Sequence, residues 1–141
     1  MIALACDHGG YELKCEIAAH LREKGAEFID CGTDGTESVD YPVYAKKVCR
    51  LISEGSADKG ILVCGTGIGM SIVANKQPGI RAALVTSDYT AEMCRRHNDA
   101  NVLCLGGRVL ATADALRYVD IFLSTGFDAG RHSTRVWMME H

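Results

Sequence analysis

The stretch "ILVCGTGIGMSIVANK", Ile61 to Lys76, decides the fold of this chain. An apolar run ends in a cysteine, three glycines follow at alternate positions, and a helical pattern then begins. This pattern is typical of a buried strand, a tight turn and an α-helix. Because N–H groups at the start of a helix attract anions, the turn is a candidate ligand site.

Apolar runs alternate with helical patterns along the rest of the chain. Strands are predicted at "IALAC", "AEFID", "KGILVC", "IRAALVT" and "ANVLCLG". Helices are predicted at "YELKCEIAAHLREKG", at "YPVYAKKVCRLISEG", after the glycine turn, at "SDYTAEMCRRHN" and at "ATADALRYVDIFLST". Strands that are almost continuously apolar, separated by helices, predict a parallel sheet covered on both faces. The expected fold is a doubly wound α/β domain that spans residues 1–141.

The pattern changes after Thr125. The C-terminal tail from about residue 126, "GFDAGRHSTRVWMMEH", is a basic turn followed by a short apolar, helical segment. Its apolar side chains, which must be buried somewhere, are Val136, Trp137, Met138 and Met139. The pattern alone leaves two surfaces open for them, their own sheet and a second subunit. Because five predicted helices already flank the sheet, we expect the tail to pack on a second subunit.

The composition excludes some classes of protein. The chain is 48% hydrophobic and 23% charged, which is ordinary for a globular protein. Its net charge of -3 gives no overall attraction to nucleic acid or to anionic membranes, and no apolar run is long enough to span a bilayer. The seven cysteines are odd in number, show no CxxC spacing and follow no secretory signal pattern. They predict free thiols in a reducing compartment, the cytoplasm.

Ligands of a doubly wound sheet bind beyond the carboxyl ends of the strands, where the strand order reverses. If the order is 2-1-3-4-5, the reversal lies between strands 1 and 3. The loops that follow these strands are "CDHGG" and "CGTGIG". We therefore expect Asp7 and His8 to lie close to Cys64 and Thr66.

The glycine turn matches neither of the common nucleotide-binding motifs. A GxGxxG motif would need glycine in place of Met70, and a P-loop would need a GKS or GKT ending. A plain tight turn is one alternative, and an anion hole for a phosphate or a developing oxyanion is the other. Cys64 is correspondingly either an inert core thiol or a thiolate, favoured by the helix start, that acts as nucleophile or base.

Two other polar groups have both a structural and a functional interpretation. His97 and Asn98 end a predicted helix, where histidine serves either as a cap or as an acid–base group. Arg131 and Arg135 stand four residues apart, so a helical tail places them on one face. They form either a solvated charge cluster or a clamp for phosphate.

Several motifs in the same order resemble those of the type B ribose-5-phosphate isomerases, a family shared with galactose-6-phosphate isomerase. The motifs are "ACDHGGYELK", "IDCGT", "DYP", "CGTGIGMSIVANK", "RHNDANVLCLGGR" and "GRHSTR", and they cover nearly the whole chain. The resemblance implies a Rossmann-like αβα sandwich and an aldose–ketose isomerisation that needs neither a metal nor a cofactor. It also implies a sugar-phosphate substrate and a homodimer, or a tetramer, with shared active sites.

The resemblance also implies roles for individual residues. Cys64 resembles the base that moves a proton between C1 and C2, and Thr66 the hydroxyl that relays a proton between O1 and O2. Asp7 and His97 resemble the groups that open the sugar ring. The implied substrate-binding residues are His8, Tyr41, Gly65, Gly67, Ile68, Gly69, Met70, Ser71, Asn98, Arg108, Arg131 and Arg135. One branch of the family uses a glutamate at the position of Met70 instead of the cysteine, which leaves Cys64 as the candidate base here.

Two other functions stay open at this stage. The first is isomerisation of a six-carbon sugar phosphate, allose 6-phosphate or galactose 6-phosphate, because the depth of the pocket cannot be read from the sequence. The second is a binding module for sugar phosphates without catalysis. Such a module has no need for Cys64, Thr66 and His97 together.

Overall fold

Five strands form a single parallel sheet in the computed structural model, which describes residues 1–141. The strands are β1 (Ile2–Cys6), β2 (Phe28–Asp30), β3 (Lys59–Cys64), β4 (Ala82–Leu84) and β5 (Val102–Gly106). Each neighbouring pair runs parallel. The predicted α/β architecture with a five-stranded parallel sheet is confirmed.

Helices cover both faces of the sheet. They are α1 (Tyr11–Glu23), α2 (Tyr41–Ser53), α3 (Ile68–Asn75), α4 (Asp88–Arg96), α5 (Thr112–Ser124) and α6 (Arg131–Glu140), with a short 3-10 turn at His8–Gly10. Helices α1, α4 and α5 share one core cluster with the sheet, and α2 and α3 share the cluster on the other face. The αβα sandwich is therefore confirmed. None of the six helices has the length and apolar character needed to cross a membrane.

The strand order is β2-β1-β3-β5-β4, so the expected order 2-1-3-4-5 is wrong. β5 is five residues long and buried throughout, whereas β4 has three residues that are all partly or fully exposed. The short strand suits the edge and the buried strand the interior. A right-handed crossover from β4 back to β5 then places α4 on the face of α1 and α5. The strand order still reverses between β1 and β3, as expected, but the neighbour of β3 is β5 and not β4.

Local signals account for the start of two helices. The Ser87 hydroxyl accepts the Thr90 N–H at 3.1 Å and so caps α4, as its position in the sequence predicts. Before α3, Gly67 has a φ of +79°. A Cβ at this position would lie 2.9 Å from the Leu105 carbonyl carbon in β5. Both the backbone conformation and the space therefore require glycine in the turn.

The tail is a helix that buries none of its residues. Trp137, Met138 and Met139 are 60%, 65% and 55% exposed, so the tail does not bury them on its own sheet. Polar contacts nevertheless hold it to its own chain, because Arg81 pairs with Glu140 at 2.9 Å. The apolar face of α6 is left open.

An ion pair under the first loop holds the segment that follows β2. Lys14 of α1 is buried, and its Nζ lies 2.8 Å from Asp30 Oδ2 at the end of β2. The other carboxylate oxygen of Asp30 accepts the Gly32 N–H at 3.0 Å. Burial acts to lower the pKa of Lys14, but the hydrogen bond and the charge of Asp30 outweigh it and raise that pKa. The pair thereby fixes the loop whose far end reaches the candidate site.

Candidate active site

Three loops meet at the carboxyl edge of the sheet, one after each of the neighbouring strands β1, β3 and β5. The Asp7 N–H donates to the Val63 carbonyl at 3.2 Å, and the Arg108 N–H donates to the Gly65 carbonyl at 2.9 Å. The loops pack so closely that a Cβ at Gly106 would lie 2.7 Å from the Thr66 carbonyl oxygen. The position of β5 beside β3 therefore adds a third loop to the two that the sequence predicts.

Cys64 ends β3 directly beneath the start of α3. Its side chain is almost fully buried, at 5% exposure, and its Sγ accepts the Gly67 N–H at 3.1 Å. A backbone donor at the start of a helix stabilises negative charge on sulfur. Burial raises the pKa of five other thiols: to about 12 for Cys6, to about 11 for Cys49 and Cys94, and to values above the usual one for Cys31 and Cys104. All seven cysteines are free.

The glycine turn also presents backbone donors that have no partner. The Ile68 N–H is capped by Thr66 Oγ1 at 3.2 Å, and the Gly67 N–H is taken by the thiol. No hydrogen bond uses the N–H groups of Gly65, Thr66, Gly69 and Met70. These groups can hold an oxyanion that forms next to the thiol.

The remaining predicted residues in and around the turn differ in the groups that they present to a ligand. The Tyr41 ring lies against Gly69, where a Cβ would come within 2.7 Å of Tyr41 Cζ. The Met70 side chain is fully buried in the core, so only its backbone N–H is available to a ligand. The Ser71 hydroxyl donates to the Ile68 carbonyl at 2.7 Å, and Ile68 itself is half exposed.

Asp7 and His8 lie beside the glycine turn, as expected from the reversal of strand order. Asp7 is buried, and its Oδ1 accepts the N–H groups of Gly9 and Gly10 at 2.9 and 3.1 Å, so Oδ2 is the oxygen left for a ligand. His8 Nδ1 accepts the Val39 N–H at 3.1 Å. The neutral ring therefore carries its proton on Nε2 and can donate from that nitrogen.

His8 and Arg108 line one cavity of about 270 Å³. The Arg108 guanidinium also lies against the turn, since a Cβ at Gly65 would be 3.3 Å from Arg108 Nη1. Arg108 takes part in none of the chain's ion pairs. A free guanidinium beside unpaired N–H groups can bind an anion such as phosphate.

The remaining predicted site residues lie at the other edge of the sheet. His97 is the C-cap of α4, and Asn98 follows it just before the amino end of β5. Arg131 and Arg135 belong to α6, whose His132 ring stacks on His97 with a centroid distance of 4.3 Å. Within one chain, none of these residues is placed beside Cys64.

The sequence analysis does not identify the five other residues that line the cavity with His8 and Arg108: Gly9, Glu12, Leu13, Thr36 and Gly107. The strings "HGG" and "GGR" carried a signal for the two glycines, because a pair of glycines after a strand often marks a close approach to a ligand. Thr36 lies in a polar loop without any distinguishing pattern. No group of three or more His, Cys, Asp or Glu side chains is arranged to hold a metal ion.

Comparison with known proteins decides the family. The model of the ribose/galactose isomerase family matches residues 2–139. The chain belongs to the ribose/galactose isomerase family. A member of this family, ribose-5-phosphate isomerase B of Escherichia coli, is 50% identical over 135 residues, which are 96% of this chain and 91% of that protein.

Solved structures of ribose/galactose isomerase family members superpose closely on the chain. Ribose-5-phosphate isomerase B of Clostridium thermocellum gives a TM-score of 0.97 at 53% identity, covering 99% of this chain and 94% of the other. The enzyme of Mycoplasma genitalium, solved with bound ribulose 5-phosphate, gives a TM-score of 0.94 at 40% identity, covering 99% and 93%. The family resemblance and the predicted fold are thus confirmed.

Proposed function

We propose that the protein is a ribose-5-phosphate isomerase, which interconverts ribose 5-phosphate and ribulose 5-phosphate through an enediolate. The observation that carries this proposal is the hydrogen bond from the Gly67 N–H to Cys64 Sγ, with unpaired backbone N–H groups next to it. The base and the N–H groups that would stabilise the resulting oxyanion thus belong to the same turn. The names of the similar family members support the choice of a five-carbon substrate.

Cys64 is the proposed base. As a thiolate it takes the proton from C2 of the open-chain aldose, and the electron pair moves through C1 onto O1. The proton on O2 passes to O1 through the Thr66 hydroxyl. The thiol then returns its proton to C1, and the electron pair of the O2 oxyanion forms the ketone at C2. Only protons pass between the enzyme and the sugar, and the electron pairs shift within the sugar, so the route requires no redox cofactor.

The backbone of the glycine turn is the proposed oxyanion hole. A hydrogen next to a sugar carbonyl is a very weak acid, so a base alone is not sufficient. Fixed N–H dipoles in a site that excludes water stabilise the enediolate as it forms. The free N–H groups of Gly69 and Met70, in the first turn of α3, and those of Gly65 and Thr66 are suited to this role.

Ring opening needs an acid–base group, because ribose 5-phosphate is mainly cyclic in water. We assign it to His97, with Asp7 and Asn98 as its partners in contact with the sugar. His8 and Arg108, on the cavity beside the turn, and the pair Arg131 and Arg135 are the proposed phosphate ligands. The phosphate would hold the sugar through successive proton transfers.

The active site is proposed to be shared between two subunits of a homodimer. His97 and the two tail arginines lie at the edge opposite Cys64, so they reach the same substrate only from a second copy. The exposed Ile68 and Ile72 on α3 and the open apolar face of α6 support this arrangement, because both need a covering surface. The free cysteines fit a reducing compartment, and we place the enzyme in the cytoplasm.

A coupled assay for ketose formation from ribose 5-phosphate, run in the presence of a chelator, tests the proposal. We expect turnover that the chelator does not reduce, and a kcat/KM at least about tenfold above those for allose 6-phosphate and galactose 6-phosphate. Preference for a six-carbon substrate would move the enzyme to the alternative isomerase activity. Binding of ribose 5-phosphate without turnover would indicate a non-catalytic module.

A further inference from the structure

The rings of His97 and His132 are packed face to face. Their centroids are 4.3 Å apart and their planes differ by 12°. His97 ends α4, where its N–H donates to the Met93 carbonyl at 2.9 Å, and His132 is the second residue of α6. Neither ring makes a hydrogen bond within the chain. Packing against His132 therefore restrains the plane of the His97 ring.

The tail that carries His132 is anchored on both sides of it. Before α6, the Asp128 N–H donates to the Arg96 carbonyl at 3.0 Å, and its carboxylate accepts from Arg96 Nε at 3.0 Å. At the end of α6, Glu140 pairs with Arg81 at 2.9 Å. The backbone of α6, which carries His132, is thus held in place by contacts that do not involve His97.

The surroundings of the stacked rings disfavour a proton on His132. The charged groups that act on His132 are Asp128 of the connecting segment, which is paired with Arg96 of α4, and Arg131 and Arg135 of α6. The pKa of His132 is lowered, first by burial and then by the charges of His97, Arg131 and Arg135, and Asp128 acts in the opposite direction. The surroundings therefore favour the neutral form of the His132 ring in the stack.

We propose that His132 is a positioning residue, whose ring holds the imidazole of His97 in the orientation needed for proton transfer during ring opening. This inference rests on the proposed function, in which His97 opens and closes the sugar ring. Proton transfer in a transition state depends steeply on the direction of the donor. Because the same helix carries Arg131 and Arg135, binding of the phosphate and orientation of His97 are coupled through one element.

The test compares His132→Ala, which removes the ring, with His132→Phe, which keeps a flat ring that cannot titrate. Two rates are measured: conversion of ribose 5-phosphate, and exchange of a C1 hydrogen of ribulose 5-phosphate with deuterated water. Ribulose 5-phosphate cannot close to a furanose, because its 5-oxygen carries the phosphate. Exchange therefore reports proton transfer without ring opening.

We expect His132→Ala to convert ribose 5-phosphate about 10- to 100-fold more slowly, while its C1 exchange stays within about threefold of the wild type. His132→Phe should keep both rates within about threefold. The ring-current shift of the His97 ring protons, measured by NMR, checks the packing without any substrate. It should be present in the wild type and in His132→Phe and be lost in His132→Ala.

Three results would overturn the positioning role. They are unchanged conversion by His132→Ala, an equal loss of conversion and exchange in that variant, and a His132→Phe variant as slow as His132→Ala. Failure of the proposed function looks different, since the wild type would then show the ring-current shift but no conversion. That result would leave the stacking of the two rings unchallenged but would contradict a role for it in catalysis.

Discussion

Cys64 and His97 lie at opposite edges of the same sheet. Cys64 is paired with Gly106 at the carboxyl end of β5, and His97 precedes Val102 at the amino end of that strand. At a rise of about 3.3 Å per residue, β5 spans about 13 Å. Groups that exchange protons with one substrate must come within hydrogen-bond reach of it. The two residues can therefore act together only if His97 of a second subunit meets Cys64.

Replacing Cys64 with alanine should lower turnover of ribose 5-phosphate by about 10²- to 10⁴-fold, the range for loss of an acid–base group. The fold should persist, because the thiol is small and makes one hydrogen bond. Steady-state turnover and the thermal shift caused by ribose 5-phosphate are measured together. Cys104→Ala is the matched control, since it removes a fully buried thiol from the neighbouring strand. Turnover by Cys64→Ala that equals the control would remove Cys64 from the mechanism.

Replacing His97 with asparagine should slow conversion about 10²-fold or more in both directions, because ring opening and ring closure use the same group. Exchange of a C1 hydrogen of ribulose 5-phosphate with deuterated water should be retained, since that step needs only Cys64 and the oxyanion hole. Both rates are measured by NMR on one sample. If exchange fell as far as conversion, His97 would belong to the proton transfer between the carbons, or to the structure.

Burial of Cys49 predicts a loss of stability at alkaline pH. Its pKa is raised by burial from about 9 to about 11. The unfolded chain therefore loses the thiol proton first, and the stabilisation present below pH 9 disappears as the pH rises towards 11. Between about pH 8 and about pH 10.5 the wild type should lose on the order of 2 kcal/mol more than Cys49→Ala. Denaturant unfolding measures the difference, and exposed Cys15→Ala should lose as much as the wild type.

The exposed apolar face of α6 predicts that a single charge placed on it weakens dimerisation strongly. Met138→Glu places a carboxylate on a side chain that is 65% exposed in the single chain. If this face docks on a second subunit, the charge is buried without a partner and should weaken the dimer at least about a hundredfold. Sedimentation velocity measures the change. Ala19→Glu, on the exposed side of α1, is the matched control and should remain dimeric. A Met138→Glu variant that dimerises like the control would contradict the docking.

Local elements of this fold could be predicted from the sequence, and long-range placement only in part. The hydroxyl of Ser87 and the positive φ of Gly67 are local features, so the helix cap and the turn follow from residue type. The positions of β4 and β5 in the sheet depend on which of the two strands is buried on both faces. Both strands are apolar, so the sequence does not distinguish the edge strand from the interior one. The expected order is therefore wrong there, and it gives no reason of its own to place Arg108, which follows β5, beside the glycine turn.

The sequence is sufficient to predict the edge of the sheet on which His97 lies. It is not sufficient to predict which residues of a second subunit His97 faces. The helix that it ends leads into the amino end of β5, so alternation of strands and helices alone separates it from Cys64. The sequence contains no information on distances between subunits. Which residues of two copies meet depends on surfaces such as α6, whose open face is visible only in the structure.

A mixture of two inactive variants tests the shared site most directly. Cys64→Ala keeps His97, and His97→Asn keeps Cys64, so each homodimer has two damaged sites. In a mixed dimer with shared sites, both changes fall in one site and the other site is intact. After joint unfolding and refolding, random pairing makes half of the dimers mixed, and the mixture should recover about one quarter of the wild-type activity.

The control for this experiment uses two residues from the same edge of the sheet. Cys64→Ala mixed with Thr66→Val leaves one change in every site of the mixed dimer, because Cys64 and Thr66 come from one turn. No recovery is therefore expected from that mixture, whatever the arrangement of the subunits. Mixed dimers are verified with two different affinity tags. If verified mixed dimers of Cys64→Ala and His97→Asn stayed as inactive as the control, each site would be built from one chain, and the assignment of His97 to ring opening would have to be withdrawn.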